Sequence, residues 1–115
     1  MTVVYPLDIF FRTKKLQKQC SDDREAVKAF GRNRAKRIRQ RLDDLHAAQN
    51  LDDMRSLPGR FHPLIGDRSG QFSLDLDGPY RLIFEAVVLE EGDAKDLDWS
   101  KVMAVRILGI EDTHE

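Results

Sequence analysis

Arg60, His62, Arg68, Arg81, Asp112 and His114 are of the types that can handle a phosphodiester. Imidazole titrates near neutrality and so can give or take a proton at cellular pH. A guanidinium meets phosphate with two parallel hydrogen bonds and stabilises the charge that builds in a pentavalent transition state. Arg81 is a lone cation in the apolar run Tyr80-Arg-Leu-Ile-Phe84, on the opposite strand face from Tyr80, Leu82 and Phe84. Arg60 and Arg68 flank the His62 segment. If the last strand continues past Ile110, residues 110, 112 and 114 share a face, and Asp112 can orient an imidazole or accept a proton.

Each of these residues also has a plainer reading. His62, taken alone, is more simply a surface histidine with no chemical role. Asp112 and His114, taken from spacing alone, are more simply a frayed polar tail. Arg81 can bind phosphate or can pair with Glu85 or a neighbouring acid across the sheet. The turn Gly66-Asp67-Arg68-Ser69-Gly70 can offer backbone N–H groups to phosphate, but it more often simply reverses a chain, with Asp67 serving turn geometry.

The elements that must position these groups follow from periodicity. Residues 8–11 read as an opening strand. Thr13 caps a short helix to about Cys20, and Asp22 and Asp23 suit the start of a second helix near Ser21. Gly31 interrupts. Over residues 32–49, Ala35, Ile38, Leu42, Leu45 and Ala48 form one apolar stripe at helical spacing. The outward faces of that helix carry Arg32, Arg34, Lys36, Arg37, Arg39 and Arg41, and His46 near its end suits the negative end of the dipole. Residues 51–56 predict one more helical turn, stopped by Pro58-Gly59. After Gly59 the period changes to two: Phe72, Leu74 and Leu76 alternate with Ser73, Asp75 and Asp77, which predicts a strand with one wet face. Asp77-Gly78-Pro79 is turn chemistry, and residues 80–88 form the second arm of a hairpin. Residues 90–98 read as an acidic loop whose end Trp99 anchors. Residues 101–110 are apolar on both faces, as in a central strand. Helices first and strands later predict an α+β fold with the helices on one face of an antiparallel sheet.

Size and composition bound the function. At 115 residues the chain predicts one domain spanning residues 1–115. Its 41% hydrophobic and 34% charged residues fit a soluble globular protein. No apolar run approaches the length of a membrane span, and Pro6 and Asp8 break up the N-terminal apolar residues, which argues against a signal peptide. The single cysteine, Cys20, excludes an internal disulfide, fits a cytoplasmic location, and reads as a small buried hydrophobe. The net charge of −1 hides an asymmetry. Residues 1–61 carry 14 Lys/Arg against 8 Asp/Glu, giving +6, and residues 62–115 carry 5 against 12, giving −7. The basic half can meet a polyanion or an acidic protein segment, or can be a solvated helix surface. Any RNA site must therefore concentrate positive charge locally. No closely spaced Cys/His set predicts zinc, and no P-loop, dinucleotide fingerprint or helix-borne zinc-protease motif occurs, so no cofactor or metal is expected.

Several blocks in one order resemble a known family. They are His62-x-Leu-x-Gly-Asp-Arg-x-Gly-Gln and Tyr80-Arg-Leu-Ile-Phe84, then Asp98-Trp-Ser-Lys-Val-Met-Ala-Val-Arg-Ile107 and Ile110-Glu-Asp-x-His114. The basic helix and Leu51-Asp-Asp-Met-Arg-Ser-Leu-Pro-Gly59 fit the same group. Together they resemble the HigB-type toxins of the RelE/ParE superfamily, half of a type II toxin–antitoxin pair. The resemblance implies a RelE-like α+β fold and metal-independent cleavage of messenger RNA on the ribosome. It implies that His62, Arg81, Asp112 and His114 are catalytic, with Arg60 and Arg68 binding RNA. It also implies a HigA-like helix-turn-helix antitoxin as partner, with operator DNA reached only through that antitoxin. Two positions depart from the family's pattern: Ile65 stands where lysine is usual, and Thr113 where tyrosine is usual. They leave open a second expectation, a catalytically weakened homologue that mainly binds antitoxin and co-represses. Gyrase poisoning, as in the ParE branch, ranks below both because the histidine-bearing blocks resemble the nuclease branch.

Overall fold

In the computed structural model, residues 7–87 and 98–113 are described. They form five strands and three α-helices. Strand β1 (Asp8–Phe11) opens, and α1 (Lys14–Ser21), α2 (Asp23–Phe30) and α3 (Arg32–Ala47) follow. Then come β2 (His62–Pro63), β3 (Gln71–Asp75), β4 (Tyr80–Ala86) and β5 (Ala104–Asp112). The sheet order is β1-β5-β4-β3-β2. The expected α+β layout is present, with one difference. The sheet is mixed, because β1 runs parallel to β5 while every other pair is antiparallel. Three helices separate β1 from β2, and a connection of that length lets the first strand enter the sheet in either direction.

The helix boundaries have local causes. The Thr13 hydroxyl accepts from the Leu16 N–H and starts α1. The Asp22 carboxylate accepts from the N–H groups of Arg24 and Glu25 and starts α2. The apolar stripe of α3 is the core face: Ala35, Ile38, Leu42, Leu45 and Ala48 are all buried. Ile38, Leu42 and Leu45 share one cluster with Phe72, Leu74, Leu82, Phe84, Val105 and Ile107 of the sheet. Burying side chains of this size stabilises the fold by about 2 kcal/mol each. Residues 51–56 form a 3-10 helix whose Leu51 and Met54 are fully buried. Among the described residues, no helix is long and apolar enough to cross a membrane.

Two arginines of α3 correct the expected polar face. Positions 34, 38, 41 and 45 lie on one helical stripe, so Arg34 and Arg41 share the sheet-facing side with Ile38 and Leu45. The Arg34 guanidinium stacks 3.3 Å from the Tyr80 ring centroid and pairs with Asp77 at 3.1 Å. Arg41 is only 8% exposed. Its Nε donates to the Asp75 carbonyl oxygen at 2.8 Å, and its Nη1 donates to Asp44 at 3.3 Å. Gly59 makes room for it: a Cβ on Gly59, whose φ is +108°, would stand 2.8 Å from Arg41 Cδ and Nε. Arg32, Lys36, Arg37 and Arg39 remain exposed, and Arg39 pairs with Asp23 of α2.

Arg41→Met retains most of the stem and removes the guanidinium, which leaves the Asp75 carbonyl oxygen without its side-chain donor. The expected cost is about 2 kcal/mol, read as a lower urea midpoint with an unchanged slope.

Candidate functional site

Strand register assigns the two faces of the sheet. Phe72, Phe84 and Ile107 are aligned across β3, β4 and β5 and meet the helices. Alternation therefore turns Ser73, Asp75, Arg81 and Ile83 to the other, open face. His62 is the register partner of Ser73, so it belongs to the open face as well. Ser73 in turn faces Ile83 and then Gly109. The neighbouring row on the same face is Asp75, Arg81 and Glu111.

Arg81 is oriented before any ligand arrives. Its Nε pairs with Asp75 at 2.8 Å, and its Nη1 donates to the carbonyl oxygens of Gly78 and Tyr80, both at 3.0 Å. Among the described residues, these contacts engage Nε and Nη1. Asp75 also faces Arg60, whose Nε lies 3.8 Å from the second carboxylate oxygen and whose side chain is 84% exposed. Arg60 has a left-handed φ of 49°, unusual for a residue with a Cβ. The Asp75 N–H donates to the Gly59 carbonyl oxygen at 2.7 Å, tying the Arg60 turn to the strand. Of the two readings open for Arg81, the cross-sheet ion pair is present, with Asp75 as its partner.

Arg68 reaches across the open face. Its Nη1 and Nη2 donate to the two Glu111 carboxylate oxygens at 2.9 and 2.6 Å, and its Nε donates to Gln71 at 3.0 Å. The hydrogen bonds to Glu111 raise the Arg68 pKa above its ordinary value, against a smaller opposing effect of burial. The line from Gln71 on β3 to Glu111 on β5 crosses β4 at Ile83. Ile83 is 1% exposed and Ser73 is 7% exposed. The wet face expected for β3 is thus covered at Ser73. Both partners of the Arg68–Glu111 bridge are more than two-fifths exposed, so its net contribution to stability is below about 1 kcal/mol.

The C-terminal residues divide between the faces. Phe84 pairs with Ile107 while the adjacent Ile83 pairs with Gly109, so Leu108 is an extra residue on β5. The bulge reverses the phase of the strand: Val105 and Ile107 face the helices before it, and Ile110 faces them after it. Asp112, register partner of Tyr80, follows Ile110 to the helix side, while Glu111 faces the open side. The structure thus brings Arg60, His62, Arg68 and Arg81 to one face and directs Asp112 to the other. His114 lies outside the described residues. Thr113 is fixed to the β3–β4 turn, where its N–H and its hydroxyl both donate to the Pro79 carbonyl oxygen, at 2.9 and 2.7 Å.

Two acids of this site were not singled out from sequence. Asp75 could have been found from the hairpin, since a turn centred on Gly78 makes residues 75 and 81 partners. Glu111 could not, because its face depends on the bulge.

His62 is exposed, but its neighbour is anchored. Phe61 stacks on Phe72 at 5.2 Å between ring centroids and meets Trp99 edge-on at 5.1 Å. Trp99 also meets Phe72 edge-on at 5.6 Å and carries the Arg55 guanidinium 4.2 Å from its ring centroid, so it anchors the chain here as expected. Apart from Asp98, which caps the turn holding Trp99, the expected acidic loop lies outside the described residues. Cys20 is buried, and burial pushes its thiol up to about 11, which disfavours the nucleophilic thiolate. Among the described residues, no group of three or more His, Cys, Asp or Glu could hold a metal ion.

Phe61→Ala should destabilise the protein by about 2 kcal/mol. It should also shift the emission of Trp99, the single tryptophan. An unchanged spectrum and midpoint would mean that this cluster does not hold β2.

Comparison with known families gives one finding. The family model described as the RelE-like toxin of the type II toxin–antitoxin system HigB matches residues 9–99. No curated protein matches the chain.

Proposed function

This chain belongs to the HigB-like family of RelE-like toxins from type II toxin–antitoxin systems, and we propose that it is a metal-independent endoribonuclease that cuts messenger RNA on the ribosome. A toxin of this type has an antitoxin partner; in this reading the partner is a HigA-like helix-turn-helix protein, and operator DNA is reached only through it. The whole chain acts as one toxin domain in the cytoplasm, where translating ribosomes are found.

The observation that carries the reading is the shared open face of His62, Arg68 and Arg81. His62 and Arg81 sit two strands and one pair of residues apart, about 12 Å between Cβ atoms by standard sheet spacings. In this reading one nucleotide lies between them. In the reaction, the RNA's 2′-hydroxyl attacks the adjacent phosphorus, the bond to the 5′-oxygen breaks, and a 2′,3′-cyclic phosphate remains. Arg81 stabilises the charge of the phosphorane, and its contacts to Asp75, Gly78 and Tyr80 mean little reorganisation is needed. Arg60 and Arg68 hold the flanking backbone. His62 transfers one of the two protons, and the C-terminal pair Asp112 and His114 is the family-implied source of the other.

Arg81→Ala should lower cleavage of translated messenger RNA by about 10²- to 10³-fold and abolish growth inhibition, with a cooperative thermal melt retained. Full cleavage by that folded variant would remove Arg81 from the mechanism.

One observation favours a weakened enzyme that serves chiefly to bind antitoxin and co-repress. Ile65 is 86% exposed, so an apolar side chain stands in solvent where the family usually has a cation. Ile65→Lys combined with Thr113→Tyr decides between the readings. If the natural chain is a full enzyme, the double variant should cleave within about threefold of it, a difference near 0.7 kcal/mol. Cleavage that appears only in the double variant supports the binding role.

A further inference from the structure

We propose that Glu111 is a catalytic residue, the carboxylate that accepts the proton of the attacking 2′-hydroxyl. This rests on the nuclease reading above. Attack needs a proton acceptor on the same face as the arginine at the phosphate. Asp112 is directed to the helix side beside its partner Tyr80. Asp75 faces the right way, but its carboxylate lies between the guanidinia of Arg81 and Arg60. Glu111 remains. It is the cross-strand partner of Arg81 on β5, and its side chain is 44% exposed.

In the RNA-free protein, Arg68 occupies both Glu111 oxygens. An incoming phosphate offers Arg68 the same geometry as a carboxylate: two oxygens for two parallel N–H donors. Because the bridge is solvent-exposed, exchanging Glu111 for phosphate costs little. The exchange does two things in one movement: Arg68 grips the backbone, and Glu111 is released beside the reacting group. The 2′-hydroxyl proton then passes to a Glu111 oxygen as the O2′–P bond forms. The P–O5′ bond breaks on the far side, and the departing 5′-oxygen takes a proton from the His62 imidazolium. Glu111 on β5 and His62 on β2 lie on opposite sides of Arg81 in the strand order, as in-line displacement requires. Exchange with water returns both groups to their starting protonation.

The test is single-turnover cleavage of messenger RNA in purified ribosome complexes, across a range of toxin concentrations, with the full-length chain. Glu111→Gln should lower the maximal rate about a hundredfold or more while leaving the half-saturating concentration unchanged or lower, because Arg68 is freed for RNA. Arg68→Ala should do the reverse: weaker half-saturation, with the maximal rate within a few-fold of the natural chain. Glu111→Asp should recover a measurable part of the rate. The inference is overturned if Glu111→Gln behaves like Arg68→Ala, since Glu111 then only positions Arg68. It is also overturned if Glu111→Gln cleaves normally while Arg81→Ala does not, an outcome that leaves the nuclease reading intact. No cleavage by the natural chain overturns both.

Discussion

The hydrogen bond from Arg41 to the Asp75 carbonyl oxygen joins the two layers of this protein at the point where its chemistry begins. Asp75 is the last residue of β3, and four groups converge on it. Arg41 of α3 holds its carbonyl oxygen, the Gly59 carbonyl oxygen accepts its N–H, and Arg81 and Arg60 share its carboxylate. A buried guanidinium is costly unless its donors are satisfied. Here Asp44 of the helix and the end of β3 supply its acceptors, and the turn before β2 leaves the space it fills. The same constraint fixes the backbone of the residue that orients Arg81. Gly59 belongs to this arrangement because any side chain there would collide with Arg41. Stability and site geometry are therefore coupled through one residue that touches no ligand in the proposed reaction.

The second constraint is the bulge at Leu108. In a regular strand, residues 105, 107, 109 and 111 would share a face, and Glu111 would follow Val105 and Ile107 into the core. One extra residue lets β5 bury Val105 and Ile107 on the helix side and then present Glu111 on the open side. Gly109 sits just after the bulge, on the open-face row with His62, Ser73 and Ile83.

Much of the scaffold was legible in the sequence because it rests on short-range rules. The caps at Thr13 and Asp22, the stripe from Ala35 to Ala48 and the turn at Gly78-Pro79 each follow from a few neighbouring residues. Arg34 and Arg41 were misread for a physical reason. Helical periodicity locates a stripe but does not say whether a long cation on it reaches out to solvent or lies along the core toward a tertiary partner. The parallel entry of β1 is likewise a long-range matter. The arginine cluster was legible as a set of residue types; of its carboxylate partners, Asp75 was within reach of the hairpin's register, and Glu111 was not, because the bulge selects it. The phase of the last strand illustrates the limit. That residues 110 and 112 share a face follows from alternation, but which face they share depends on a single unpaired residue.

The open face also bears on how a chain with a net charge of −1 could present the proposed phosphate site. Asp75 and Glu111 alternate with Arg60, Arg81 and Arg68. Each guanidinium is held near a position where a phosphate oxygen would bind, and the row as a whole carries only one excess positive charge. Such an arrangement attracts stray anions weakly, since long-range attraction follows net charge. In the proposed reaction it would still bind phosphate at contact, because the donors are already directed and a carboxylate such as Glu111 can yield to a better-placed anion. Local order thus substitutes for bulk charge. The expected consequence is a modest salt dependence for this face, with steeper dependence left to the exposed cations of α3.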